Sequence, residues 1–176
     1  MAVSAVSAES WSGDAARIPA TSLTWVVVND GVMGGVSRGR VGREAGEGVL
    51  RFEGVLSLAN NGGFASIRSV GIGALALERA EALMIRVRGD GRRYQLRAYG
   101  DGRFRGREVA FVGEFDTVVD TWIEVRVPIR EMQPRFRGVA LQGPPLEAAS
   151  IRGLGLMLAD KREGPFAIEV EWIGGG

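Results

Sequence analysis

Histidine and cysteine are both absent from the 176 residues, and these absences remove most of the familiar catalytic machinery. No Ser-His-Asp or Cys-His triad can form, and there is no thiolate nucleophile, thiol–disulfide couple or zinc site built from those ligands. The side chain that titrates near neutrality is missing too, so acid–base catalysis would fall to carboxylates, tyrosines, a lysine or an oxygen-ligated metal. Lysine is itself almost absent: of 22 basic residues, all but Lys161 are arginine. A bacterial genome-composition bias accounts for that preference more simply than a binding patch. With 21 acidic residues the net charge is +1, a balance that offers no global field to nucleic acid or an anionic membrane. No apolar run reaches the roughly eighteen residues of a membrane-spanning helix. The start, MAVSAVSAESW, has no basic stretch followed by a long apolar one and does not read as a secretory signal. Zero cysteine suits a reducing compartment and equally a secreted chain without disulfides. The expectation is a cytoplasmic protein that is not an enzyme and carries no cofactor.

What is present is glycine and period two. The length allows one domain, since a chain of this size buries about 70% of its unfolded surface. Two glycine-loaded loops each leave a short apolar strand: WVVVNDGVMGGVSR from Trp25 to Arg38, and SLANNGGFASIR from Ser57 to Arg68. Glycine clusters beside Asn, Asp and Ser mark tight, specified turns. From Leu23 onward, apolar residues alternate with polar ones, as in strands with one buried and one wet face. Leu83, Ile85 and Val87 do so, and so do Tyr94, Leu96 and Ala98 beyond the Asp90-Gly91 step, which predicts a hairpin. Strands are also predicted over Gly48 to Leu58, Phe64 to Val70, Val109 to Phe115, Trp122 to Pro128, Ile151 to Ala159 and Phe166 to Ile173, the last two reversing at Gly164-Pro165. Ile72 to Ala82 is the best helical candidate and is short. Met132 to Glu147 predicts a long irregular loop of the kind that is functional or mobile. The sum is an all-β chain: a single antiparallel β-sandwich of the jelly-roll kind over 23–176, with an open barrel as the runner-up, behind a flexible tail over 1–22.

Taken in order, the segments resemble the complex I intermediate-associated protein 30 family. The residues that carry the resemblance are WVVVNDGVMGGVS from Trp25, FEGVLSLANNGGFASIR from Phe52, IRVRGDGRRYQLR from Ile85, FDT from Phe115 and WIEVRVPI from Trp122. PRFRG from Pro134, PPLEAASIRGLGLMLADK from Pro144 and GPFAIEV from Gly164 complete the set. Order and spacing hold from about Leu23 to Ile173. The resemblance implies a galactose-binding-like sandwich, the fold also used by many carbohydrate-binding modules. It further implies a role like that of the mitochondrial members, which are assembly factors for respiratory complex I and bind an intermediate without catalysing a reaction.

Three loops hold the candidate binding residues, each with a functional and a structural reading. In the first, Asn29, Asp30 and Ser37 can contact a ligand through polar atoms and Met33 through its thioether, or Asp30 can cap the loop backbone while Met33 fills a gap. In the second, the amides of Asn60 and Asn61 can meet hydroxyls, or simply take positive φ in a hairpin turn. In the third, Arg137, Asp160 and Lys161 can form one recognition surface, or Arg137 can bridge internally to Asp160 and pin the long loop. Arg86, Arg88, Arg93 and Arg97, with Arg103, Arg105 and Arg107, suggest a basic stripe whose ordinary meaning is a solvated sheet face. No EF-hand-like loop is present, so no metal site is expected from a motif; the galactose-binding-like fold that the resemblance implies often holds a structural calcium through backbone carbonyls. Two functions follow: a non-catalytic protein-binding module acting as an assembly or accessory factor, and a module for carbohydrate or another small ligand. No nucleic-acid partner is expected.

Overall fold

Period-two sequence forms strands whose apolar side turns inward. In the computed structural model, which describes residues 16–43 and 48–176 (for Val32 the backbone alone), thirteen strands follow one another. They are β1 (Arg17–Pro19), β2 (Trp25–Asn29), β3 (Arg38–Arg43), β4 (Leu50–Leu56), β5 (Ala65–Ser69), β6 (Ala82–Arg88) and β7 (Arg93–Phe104). The second half adds β8 (Arg107–Asp116), β9 (Trp122–Pro128), β10 (Gln133–Phe136), β11 (Val139–Ala140), β12 (Gly153–Leu158) and β13 (Gly164–Gly175). No α-helix occurs among the described residues; Ile72 to Ala82 is irregular up to Ala82, with Leu75 and Leu77 buried as core anchors. Among the described residues no helix is long and apolar enough to cross a membrane.

The strands make two antiparallel sheets, ordered β11-β10-β8-β7-β12-β5-β2 and β3-β4-β13-β6-β9, with β1 paired to the end of β13. This is the expected all-β jelly-roll sandwich. Between the sheets lie Leu83, Ile85 and Val87 of β6, Tyr94, Leu96 and Ala98 of β7, and Leu154, Leu156 and Leu158 of β12, all at most 1% exposed. Phe52 and Phe166 meet edge to face at 5.0 Å, a geometry that aromatic quadrupoles favour. Burial of each large aliphatic side chain contributes about 1.5–3 kcal/mol.

The structure departs from the sequence expectation where local signals cannot tell a hairpin from a crossing. β6 pairs with β13 and β9, whereas β7 pairs with β8 and β12, so Gly89 to Arg92 is a corner between sheets and not a hairpin turn. The same holds for Asn60 to Gly63, between β4 and β5, and for Asp160 to Glu163, between β12 and β13. The true two-residue hairpin turns are Arg105-Gly106 and Arg137-Gly138, with φ of 51° and 75° in the first and 49° and 80° in the second. Those paired positive values are what a type I′ turn requires. Met132 to Glu147 is less irregular than expected, since β10 and β11 extend the larger sheet beyond β8. β1 and the turn Ala20–Ser22, placed in the tail by the sequence, belong to the sandwich: Ala20 is fully buried and its carbonyl accepts the Trp25 indole N–H at 2.8 Å. Residues 1–15 of that tail lie outside the described residues.

The expected basic stripe is divided. Arg86 and Arg88 point outward from the smaller sheet, where they pair with Glu171 and Glu169 at 2.6 and 2.5 Å. Arg93 belongs to the larger sheet and pairs with Asp116 at 2.7 Å.

Candidate functional site

β2, β4, β6, β8 and β12 all run toward one end of the sandwich, and the corners that follow them collect there. Three aspartates organise this end. Asp30 is 1% exposed, and its carboxylate accepts hydrogen bonds from the Ser37 hydroxyl at 2.6 Å, Ser37 N–H at 3.0 Å, Gly63 N–H at 2.8 Å and Phe64 N–H at 3.4 Å. It therefore ties the β2–β3 corner to the β4–β5 corner. Glycine is needed beside it: a Cβ on Gly35 would stand 2.3 Å from Asp30 Cγ, and one on Gly62 would stand 2.5 Å from Oδ2. Burial pushes the Asp30 carboxyl up, but the four donors outweigh it and hold the group below its ordinary value.

Asp90 does similar work at the next corner, accepting from Arg92 N–H at 3.1 Å, the Tyr94 hydroxyl at 3.1 Å and Ala167 N–H at 2.9 Å. Asp160 forms a two-pronged pair with Arg92, Nε to Oδ2 at 2.9 Å and Nη2 to Oδ1 at 2.6 Å, with both side chains under 10% exposed. The remaining Arg92 donors reach the carbonyls of Arg162, Gly164 and Pro165, so every N–H of the fork has an acceptor. Burial raises the Asp160 carboxyl, and Arg92 together with Arg162 N–H more than reverses the shift.

Outside this buried lattice lies an open groove of about 390 Å³ on the outer face of the larger sheet. Its floor is Arg93 and Gln95 of β7 with Glu114 and Asp116 of β8, and its rim is Asp160, Lys161 and Arg162. The floor is internally paired: Arg93 forks onto Asp116 with both bonds at 2.7 Å, and Gln95 donates to Glu114 at 3.2 Å. The Arg93 fork holds Asp116 below the usual carboxylate range despite some burial. Lys161, in a left-handed conformation at φ 60°, is exposed with no ion-pair partner among the described residues.

Of the nine residues singled out from sequence, eight gather at this end and one does not. Asp30, Ser37 and Asp160 are structural ties; Met33 (53% exposed), Asn60, Asn61 and Lys161 stand on the surface. Asn60 and Asn61 take φ of 55° and 60°. Asn29 Oδ1 is buried without a donor among the described residues. Arg137 sits at the opposite end, in the β10–β11 turn, with its guanidinium 5.6 Å from the Phe136 ring centroid. The expected Arg137–Asp160 bridge is not formed, because the two residues lie at opposite ends of the sandwich; Arg92 pairs with Asp160 instead. Sequence reasoning did not single out Gln95, Glu114, Asp116 and Arg162. For the first three the only signal is polar alternation on β7 and β8, which does not say which outward residues share a groove, and Arg162 lies in the β12–β13 corner, where no alternation marks it.

A family model described as Complex I intermediate-associated protein 30 (CIA30) matches residues 16–170. The chain belongs to this family. Among curated proteins it is similar to "Complex I intermediate-associated protein 30, mitochondrial" of Mus musculus, 36% identical over 98 residues. That match covers 52% of this chain and only 29% of the mouse protein's length. Solved structures with the same fold include a family 11 carbohydrate-binding module from Clostridium thermocellum in complex with a beta-1,3-1,4-mixed-linked tetrasaccharide. It has a TM-score of 0.63 at 12% identity, covering 86% of this chain and 88% of that one. A family 11 module from a cellulosomal cellulase of the same organism gives 0.64 at 12% identity over 100% and 96% of the two chains. A family 30 carbohydrate-binding module gives 0.51 at 13% identity over 81% and 85%. At these identities the likeness is one of fold. In this family member, aromatic rings on the outer faces carry guanidinium groups: Arg68 lies 3.9 Å from the Tyr99 centroid, Arg17 4.1 Å from Trp172 and Arg88 5.1 Å from Trp122.

Proposed function

We propose that this protein is a non-catalytic module that holds another protein, acting as an assembly or accessory factor through the groove and loop rim at the corner end. The observation that carries this reading is the family match across residues 16–170. Groove electrostatics support it. Asp116 and Asp160 are both held ionised by arginine, the reverse of the raised pKa a general acid needs. The rim offers the Lys161 ammonium, the Arg162 guanidinium, the amides of Asn60 and Asn61 and the Met33 thioether. Such mixed polar and soft apolar groups set specificity and encounter rate more than raw affinity.

The test is retention of a partner from extract of the native cell by wild type and by a Lys161→Glu, Arg162→Glu variant. The variant is expected to lose about fivefold or more of the retained partner, with a smaller salt dependence and an unchanged melting temperature. Equal retention would remove the groove from the reading, and no partner at any salt would remove the class. The fold likeness to sugar-binding modules supplies a second reading. Against it, the rings that would stack a pyranose are covered by Arg68, Arg17 and Arg88. Selective glycan-array binding would promote that reading over ours.

A further inference from the structure

Among the described residues the sandwich has five edge strands: β2 and β11 in the larger sheet, and β3, β9 and the three-residue β1, which pairs only with β13 and carries Arg17 and Pro19, in the smaller. Edges invite pairing with foreign strands, and proteins blunt them with charge, proline or brevity. β11 has two residues; β9 carries Glu124 and Arg126 and ends in Pro128; β3 carries Arg38, Arg40 and Arg43. β2 has none of these devices. Its five residues, WVVVN, are uncharged, and Val26, Val27 and Val28 are 44%, 39% and 38% exposed.

The hydrogen-bonding parity of β2 is fixed by its flanks. Val70 N–H donates to the Thr24 carbonyl at 2.8 Å and Asp30 N–H to the Phe64 carbonyl at 3.3 Å, and the register pairs Val26 with Arg68 and Val28 with Ser66. Even-numbered residues therefore face β5. The N–H and C=O of Trp25, Val27 and Asn29 point away from it, three donors and three acceptors along a free edge.

β3 runs under that edge: a Cβ on Gly39 would stand 3.0 Å from Asn29 Oδ1. The lateral wall thus combines an apolar, bond-ready strand above with an arginine-bearing strand below, and Arg38 has no ion-pair partner among the described residues. Pairing with a second copy would set two such arginine edges against each other. We propose that the free edge of β2 receives an extended apolar segment of a partner protein with acidic residues at its flanks, adding a strand to the larger sheet. This surface is separate from the groove of Lys161 and Arg162, so either site can fail without the other.

The experiment uses the full chain and a labelled, acetylated peptide alternating valine and threonine with aspartates at both ends, read by fluorescence anisotropy. Saturable binding is expected, weakened about tenfold or more when lysines replace the aspartates. A peptide N-methylated at every residue has no N–H on either edge, cannot complete the ladder and is expected to give no signal. In the protein, Val27→Pro removes an N–H that β5 does not use, so the fold is retained while binding is lost. No binding of the aspartate peptide, or equal binding of the methylated one, would overturn the proposal. So would a concentration-dependent dimer of the chain that Val27→Pro abolishes, which would make a second copy the occupant.

Discussion

Asp30 shows how one side chain can look like a ligand contact and act as a rivet. Its carboxylate satisfies four donors in two corners, and Asp30→Ala would leave them unpaired in a buried place. The expected loss is about 3 kcal/mol, a fall of about 6–12 °C in melting temperature for a chain of this size. Asp30→Asn should recover only part of it, since one amide face repels the N–H groups. Asn29 predicts the opposite sign. Its buried Oδ1 has no donor among the described residues and neighbours Gly39, so Asn29→Val should raise stability by about 0.5–1 kcal/mol in urea unfolding.

At the scale of elements, the corners matter more than the strands they join. Arg92 links the β6–β7 corner to the β12–β13 corner with every donor matched, so removing its fork strands Asp160 as a buried unpaired charge. Arg92→Met is expected to cost about 3–5 kcal/mol, and Arg92→Lys to restore little because a point charge cannot reproduce two parallel bonds. A double-mutant cycle with Asp160→Asn measures the coupling; additivity of the two losses would refute it. These corners also mark how far the sequence could be read. Alternation placed β4 to β9, β12 and β13 closely. The Asp-Gly, Asn-Gly and Gly-Pro steps read as hairpins because turn residues are chosen for local φ, which is alike whether the next strand pairs with the last or crosses to the other sheet. The two Arg-Gly steps that are true hairpins went unrecognised because arginine is an unusual occupant of a left-handed position.

For the whole molecule, the missing histidine leaves no side chain with an ordinary pKa between about pH 5 and 8, so stability should be flat across that range. Below it the sign is set by Asp30 and Asp160, whose folded pKa values lie under the unfolded value. The stability they contribute is fully present above the ordinary carboxylate value of 3.8. It is lost as pH falls through the depressed folded values. Urea midpoints at pH 7 and pH 3 should therefore differ, with Asp30→Ala narrowing the gap. At the same scale, β1 and Ala20 are integral. A chain begun at Leu23 loses the β1–β13 pairing and the Trp25 acceptor, and should melt several degrees below one begun at Ala16.

Composition and period two determined the fold class by themselves, because burial needs one apolar face per strand and the alternation records which face that is. The family motifs, spread over nearly the whole chain, were likewise legible. Tertiary structure alone decided which strands are neighbours, which carboxylates are rivets and which charges remain free. Asp30, Asp90 and Asp160 look alike in sequence, as do Arg92 and Arg137. Their roles depend on partners up to 77 residues away, and long-range pairing leaves no local trace.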